Sequence, residues 1–410
     1  MKEKVIFHMD GDAFFVAVEI AKNPRLRGLP VITGEERGIV SALSYEAKAI
    51  GITRGMPIFH VKRNFPKVII LPGDYKTYAE YSEKMFDIVR RYADDVEEYS
   101  IDECFADLTG LDRPLKMSYR EIGERIQKEI KDELDLSVSV GIAPTKVLAK
   151  VASKWIKPNG LTVIEKGNIN EFLSKVPVDK IWGIGRSTSA FLYKNKIHTA
   201  SDFTSKSLEW IRDTLARPHE VIWNELKGIS LMMLDPQPKT EYSSVQRTRS
   251  FHPSTNNRIF LLSQLSKHTE DACAKARHYH FSPKRISIFL KTRDFRYYST
   301  CLILPSPTNA PEILLSHIQK EFEKIYNPGV FYRTTGITLH ELIPVDRTQS
   351  DLFGNTKLEH RFELIHKQID LLEEKYGRRL VYLASTHHAR SRDVIEFKNE
   401  KRQKGRVFEI

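Results

Sequence analysis

Cysteine is almost missing from this chain: Cys104, Cys273 and Cys301 are the only three in 410 residues. None stands in a C-x-x-C pair, which excludes a zinc-ribbon site and leaves no disulfide framework to hold a small secreted fold. The histidines include no H-E-x-x-H spacing, and the adjacent pair His387–His388 falls in a polar tail and reads as solvated. No apolar run is long enough to span a bilayer. The first one, in "MKEKVIFHMDGD", is broken almost at once by His8 and Asp10. That start lacks the form of a secretory signal and predicts a cytoplasmic protein without a membrane partner. Repeats of short period and low-complexity tracts are lacking as well.

The chain is 41% hydrophobic and 10% aromatic, a globular composition, and 410 residues are too many for one ordinary core. Its formal charge is +11 and its pI near 9.3, a balance that suits a polyanionic partner, either nucleic acid or a membrane surface.

The periodicities divide the chain. "KVIFHMD" reads as a buried strand ending in an acid, and "GDAFFVAVEIAKNP" as a helix with Ala13, Val16, Ala17 and Ile20 at helical spacing. "DYKTYAEYSEKMFDIVRRY" is amphipathic through Tyr78, Tyr81, Met85, Ile88 and Val89. "VEEYSIDECFADL" reads as a β-hairpin, "SYREIGERIQKEIKDEL" as a helix and "LSVSVGI" as a short buried strand. "TKVLAKVASKWIKPNG" is a basic helix that stops at Pro158–Asn159–Gly160. This order predicts an α+β domain on a mostly antiparallel sheet. From about 165 to 235 strand signals vanish and short helices dominate. "PQPKTEY" at 236–242 is an extended linker. A β-α-β-β-α-β order follows, the split ferredoxin-like pattern, with Arg247, Arg249, Arg285, Lys291 and Arg293 at alternate positions of its strands. A last amphipathic helix is expected around 364–376, and a poorly ordered polar tail after Thr386.

Within "YSIDECF", Asp102 and Glu103 adjoin in a segment that otherwise alternates like a strand, so a straight strand would point them apart. A turn over roughly 100–103 lets both project from the hairpin tip. If that tip lies beside the end of the first strand, Asp10 joins them. Three carboxylates with no cysteine or histidine nearby suit a hard cation such as Mg²⁺, and two such ions would suit phosphoryl chemistry. A solvated turn is the plain alternative for the pair alone. Asp12 reads as a helix N-cap, with a fourth acid as the alternative.

"MDGDAFFVAVE", "YSIDECFADLTG", "SVSVGIAPTKVLAKVASKWIKPNG" and "VPVDKIWGIGR", in order over residues 5–345, resemble the Y-family translesion DNA polymerases. "EAKAIGI..GMP" and the chain beyond "QSDLF" are more similar to the bacterial UmuC branch (polymerase V), with the DinB branch (polymerase IV) a close second. The resemblance implies a multidomain right-hand polymerase: palm and fingers over 1–165 (fingers about 20–75), a helix-hairpin-helix thumb over 166–235, a linker at 236–242, a little finger over 243–345 and an extension over 346–410. It carries the metal ligands onto Asp10, Asp102 and Glu103, with the Gly11 carbonyl, for two Mg²⁺ ions or Mn²⁺ in their place. Phe15 matches the steric gate that excludes a 2′-hydroxyl. Phe14 is either its companion at the nucleotide or a core side chain. Tyr45 and Lys157 match residues that meet the incoming triphosphate. Lys48 stands where the family commonly has arginine, keeping the charge without the bidentate fork. Ser100 matches a serine beside the acids.

The implied reaction is attack of a primer 3′-hydroxyl on the α-phosphate of a dNTP, error-prone and without a proofreading site. Gly183, Ile184 and Gly185 would present backbone N–H groups to duplex phosphates, and Arg247, Arg249, Lys291 and Arg293 would lie along the DNA. "QSDLF" resembles the peptide that docks on the bacterial sliding clamp, with Gln349, Leu352 and Phe353 as its contacts. A UmuD-like subunit and a recombinase filament are further partners that the resemblance suggests. Two rivals are a two-metal nucleotide cyclase and a catalytically inactive, clamp-tethered polymerase relative. The basic C-terminal domain weighs against the first and the retained acids against the second.

Overall fold

The computed structural model describes residues 4–237, 242–345 and 355–391. They form two compact units, Met1–Pro238 and Lys239–Ile410. The clamp-like residues Gln349, Leu352 and Phe353 lie outside the described residues. Among the described residues, no helix is long and apolar enough to cross a membrane.

The strands, in chain order, are β1 (Ile6–Gly11), β2 (Val31–Thr33), β3 (Ala42–Leu43), β4 (Ile69–Leu71), β5 (Val96–Glu98), β6 (Glu103–Asp107), β7 (Val138–Ala143) and β8 (Leu161–Val163) in the first unit. The second unit holds β9 (Ser244–Thr255), β10 (Phe281–Thr292), β11 (Tyr297–Ile303) and β12 (Tyr332–Pro344).

The main sheet of the first unit runs β5-β6-β1-β7-β8, antiparallel except for the β7–β8 pair. β1 is its central strand and every residue of it is buried. Burial on both faces explains why "IFHM" shows no polar alternation in sequence. Tyr75–Arg90 and Tyr119–Leu134 cover one face, packing Tyr78, Met85, Phe86, Ile122, Ile126 and Ile130 against Phe7, Met9, Cys104 and Val140. Ser118 starts the second of these helices with a complete capping box to Glu121.

The other face carries the helix Lys146–Ser153, capped by Thr145. It lies on β7 at backbone distance. A Cβ built on Gly141 would stand 2.1 Å from the Ala149 carbonyl oxygen and 2.3 Å from the Ser153 nitrogen, so only glycine fits. The short helices of 169–226 pack on the same side and extend its core through Leu192, Phe203, Ile222 and Leu226. A small three-stranded sheet, β3-β2-β4, holds its own core of Ile32, Val40, Ile52 and Val61.

The second unit is an antiparallel sheet in the order β11-β10-β12-β9, covered on one face by Arg258–His278 and Pro311–Ile325. Its element order is the β-α-β-β-α-β read from the sequence. The helix Asn355–Tyr376 begins before the expected 364 and docks through an Arg277–Asp370 pair (2.7 and 3.0 Å) and a His366–Glu312 contact (2.9 Å). The tail expected to be loose after Thr386 is held as far as the structure describes it. Thr386 and Ala389 are fully buried, Ala389 N–H donates to Ser263 Oγ (3.0 Å), and Arg390 pairs with Glu270. His387 and His388 are exposed, as their polar setting suggested.

One group of basic residues falls elsewhere than its alternation suggested. On β9, Arg247 and Arg249 share the side of buried Val245, which faces the helices, and Arg247 Nε reaches the Asp271 carbonyl. The opposite, open face presents Gln246, Thr248 and Ser250. Strand alternation fixes two faces, but the sequence does not say which face the helices cover. Lys291 does lie on the open face, and Arg293 is exposed in the turn that follows β10.

Candidate active site

Antiparallel pairing of β1 with β6 sets Asp10 directly opposite Glu103, and Gly11 N–H donates to the Asp102 carbonyl (2.8 Å). The hairpin between β5 and β6 turns at Tyr99–Asp102, where both Tyr99 N–H and Ser100 N–H donate to the Glu103 carbonyl (3.0 Å each). Glu103 is thereby the first residue of its strand and Asp102 the last of the turn. The strand rule that would point them apart does not apply across that boundary. The Asp102 carboxylate accepts from Ser100 Oγ (2.6 Å).

Each member of the Asp10–Glu103 pair carries a lysine. Lys150 Nζ lies 2.8 Å from Glu103 Oε2, and Lys157 Nζ pairs with Asp10 Oδ1. Burial raises the Glu103 carboxyl above the ordinary range, Lys150 pulls it back, and a hydrogen bond with Asp10 raises it further. Among the described residues, no three Asp, Glu, His or Cys side chains already converge as a cation site. The donors present nonetheless have the chemistry of a hard-ion site: two touching carboxylates, a third one residue away and the backbone of Gly11. Lysine ammonium groups pair with one oxygen of each touching carboxylate, Glu103 Oε2 and Asp10 Oδ1.

Asp12 departs from the expected N-cap. The residue before the helix Phe14–Lys22 is Ala13, in the left-handed region (φ 49°), and no side chain caps that helix. Asp12 is instead buried and points away to accept from Ser137 Oγ, Ser139 Oγ and Asn159 N–H, all at 2.8 Å. Lys157 Nζ stands 3.5 Å away and Tyr45 Oη 3.4 Å. Burial, with the Asp12 carboxylate beside it, holds the Tyr45 phenol protonated far above its ordinary range.

Phe15 is half-buried, stacked on Tyr78 (centroids 4.5 Å, 13°) and edge-on to Tyr75 (5.4 Å). Phe14 is a core side chain, packed with Phe7, Met9 and Val18, so its ring is not free to meet a nucleotide. Lys48 is exposed on the helix Tyr45–Ala49. Gly183 (φ 89°) and Gly185 flank buried Ile184, and Gly185 opens the helix Arg186–Lys194 with no side-chain cap, leaving its first N–H groups unclaimed by a capping side chain.

Sequence reasoning missed Lys150 and Trp182. Lys150 stands out only as the second lysine of an i, i+4 pair in "TKVLAK", which reads equally well as a solvated helix face. Beneath β1, His8 Nδ1 bonds Ser153 Oγ (2.7 Å), and burial lowers the pKa of the ring well below its ordinary value.

Residues 9–154 match the impB/mucB/samB family, 166–197 the IMS family helix-hairpin-helix motif and 242–352 the C-terminal domain of the impB/mucB/samB family. DNA polymerase IV of Desulfatibacillum aliphaticivorans is 31% identical over 384 residues, 92% of this chain and 95% of that protein. DNA polymerase IV 1 of Bacillus subtilis is 31% identical over 391 residues, 94% of each. A solved Dbh–Dpo4 Y-family polymerase chimera superposes with a TM-score of 0.69 at 23% identity, covering 83% of this chain and 99% of its own, a likeness of fold. Of the two branches, these relatives bear the polymerase IV name, the one the sequence reading placed second, and none of them bears the UmuC name that it placed first. The fold, the paired acids and the matched relatives agree: this chain is a member of the impB/mucB/samB family of Y-family DNA polymerases, DinB-like, and a DNA-directed DNA polymerase of translesion synthesis.

Proposed function

We propose that Asp10, Asp102 and Glu103, with the Gly11 carbonyl, hold two Mg²⁺ ions, and that the enzyme adds dNTPs to a primer 3′-hydroxyl across damaged template in the cytoplasm. The observation that carries this reading is the opposed Asp10–Glu103 pair beside the Asp102 turn, with an ammonium on each member of the pair. When bound, the ions would lower the pKa of the attacking hydroxyl and neutralise the transferring phosphate.

The chain's own residues do the rest. Lys157, now on Asp10 and near Asp12, is free to pass to the triphosphate once the carboxylates are otherwise engaged. Tyr45 and exposed Lys48 approach from the small three-stranded sheet's helix. Phe15, braced by Tyr78 and Tyr75, presents a rigid wall beneath the sugar. Catalysis then rests on positioning and charge neutralisation, with no covalent enzyme intermediate. Duplex phosphates would sit at the N–H groups of 183–186 and along Lys291 and Arg293. Residues 349–353 would dock on a bacterial sliding clamp.

Primer extension on intact and abasic templates, with Mg²⁺ and single dNTPs, tests the reading against Asp102→Ala. Wild type should extend both templates and the variant neither. Extension by the variant at the wild-type rate would remove Asp102 from the site.

A further inference from the structure

We propose that Lys150 is a positioning residue of the acid pair, held on Glu103 by an aromatic box of Tyr99 and Trp182, and that this box sets how tightly the pair takes a divalent ion. The proposal rests on the reading of Asp10, Asp102 and Glu103 as the ion's ligands.

A lysine ammonium on a four-carbon stem is ordinarily mobile and strongly hydrated. Here its side chain is only 6% exposed. Burying it carries a desolvation cost and freezes its rotamers, so something must hold it. One hold is Glu103, at 2.8 Å. The other is aromatic. Lys150 Nζ stands 4.2 Å from the centre of the Tyr99 ring and 5.0 Å from that of Trp182. Both rings are themselves fixed: Trp182 Nε1–H donates to Tyr99 Oη (3.1 Å), the two rings meet edge to face (5.2 Å, 81°), and Trp182 stacks on buried Phe105 (5.8 Å, 26°). Tyr99 comes from the turn that carries Asp102, whereas Trp182 comes from the helical segment just before Gly183. Two distant stretches of chain therefore close on one ammonium.

Lys146, one turn earlier on the same helix, shows the contrast. It lies over Phe105 (4.7 Å) and pairs with Glu97, away from the acid pair. Of these two lysines, Lys150 is the one delivered to an oxygen of the acid pair. An ammonium fixed there repels a divalent ion and competes for Glu103 Oε2. Loosening the box frees that oxygen for the ion while letting the Glu103 carboxylate wander, so ion binding tightens as catalytic positioning worsens.

The test is Mn²⁺ binding to the full chain without DNA or nucleotide, read from the electron paramagnetic resonance of free Mn²⁺. Trp182→Leu should tighten binding about three- to tenfold, the range that one partly desolvated cation–π contact supports. Trp182→Phe, which keeps a ring face, should bind nearly as wild type. In a Lys150→Met background, Trp182→Leu should have no further effect, because its influence passes through the ammonium. An unchanged affinity in Trp182→Leu, or the same shift with Lys150 absent, overturns the proposal. If Trp182→Leu does not fold, Tyr99→Leu opens the opposite wall and is held to the same criterion. Asp10→Asn separates the two readings. If it leaves Mn²⁺ binding intact, the ion site itself is wrong. If it abolishes binding while the cycle shows no coupling, only the role of Lys150 falls.

Discussion

Asp10 and Glu103 stand opposite each other across the β1–β6 ladder, and each carries its own lysine. Removing the Glu103 carboxylate leaves the buried Lys150 ammonium without its anion, and removing that of Asp10 leaves Lys157 with Asp12 alone. Asp10→Asn and Glu103→Gln, both close in shape to the native residues, should therefore lower single-nucleotide incorporation by about 10²–10³-fold or more, the scale of losing one electrostatic group at a reacting centre. Pre-steady-state incorporation under saturating Mg²⁺ measures the loss. A change below tenfold would count against the assignment.

Phe15 leans on Tyr78 and Tyr75, so its ring cannot retreat from a sugar that crowds it. Phe15→Ala should let ribonucleotides in, lowering the dNTP-over-rNTP ratio of kcat/KM by about 10²-fold, the size of discrimination that pocket shape supplies. Unchanged sugar selectivity would remove the gate from Phe15.

Gly141 is where the helix Lys146–Ser153 rests on β7. A methyl there would meet backbone atoms that have no side-chain freedom to yield. Gly141→Ala should cost about 1–3 kcal/mol of stability, as overpacking does, and should lower activity by lifting Lys150 off Glu103. Denaturant midpoints and incorporation rates on the same preparations check both effects.

His340, bonded to Ser287 Oγ (2.8 Å), has its ring pKa lowered by burial, with Arg285 adding to it. Because the folded value lies below the unfolded one, the unfolded state binds the proton first as pH falls. Stability from this group is complete above the ordinary histidine pKa of about 6.5 and is lost as pH drops through the folded value. Histidine C–H titration by NMR should place His340 below free histidine. His340→Gln should flatten the acid side of the stability curve.

The peptide at 349–353, "QSDLF", resembles a clamp-docking motif. Its deletion should leave extension of short primers at the wild-type rate and abolish stimulation by a loaded clamp. A deletion variant still stimulated by the clamp would show that the contact lies elsewhere.

Much of the architecture was legible because each signal was local. β1 announced itself as a continuous apolar run. The hairpin around "YSIDECF" showed in its alternation, and the second unit in its β-α-β-β-α-β order. The turn that reconciles Asp102 with Glu103 could be argued from the two acids themselves. What stayed hidden depends on distant partners. Asp12 has the composition of a cap, yet its three closest donors lie more than a hundred residues away, on Ser137, Ser139 and Asn159. Trp182 lies far along the chain from Tyr99 and Lys150, which it touches. Arg247 and Arg249 alternate correctly, but only packing shows that their side of β9 is the helix side. The branch was less legible: "EAKAIGI..GMP" and the chain beyond "QSDLF", which favoured UmuC over DinB, are short features, whereas the relatives matched over most of the chain bear the polymerase IV name.

Asp12 takes no part in the proposed chemistry, yet Tyr45 Oη and Lys157 Nζ both lie within 3.5 Å of the same oxygen, its Oδ1. Ser139 holds that oxygen from the sheet at 2.8 Å. Two of the side chains proposed to meet the triphosphate, one from a helix after β3 and one from the loop before β8, are thus measured from a single atom. Their placements are correlated, so a displacement of the Asp12 carboxylate carries both together and preserves the spacing between them.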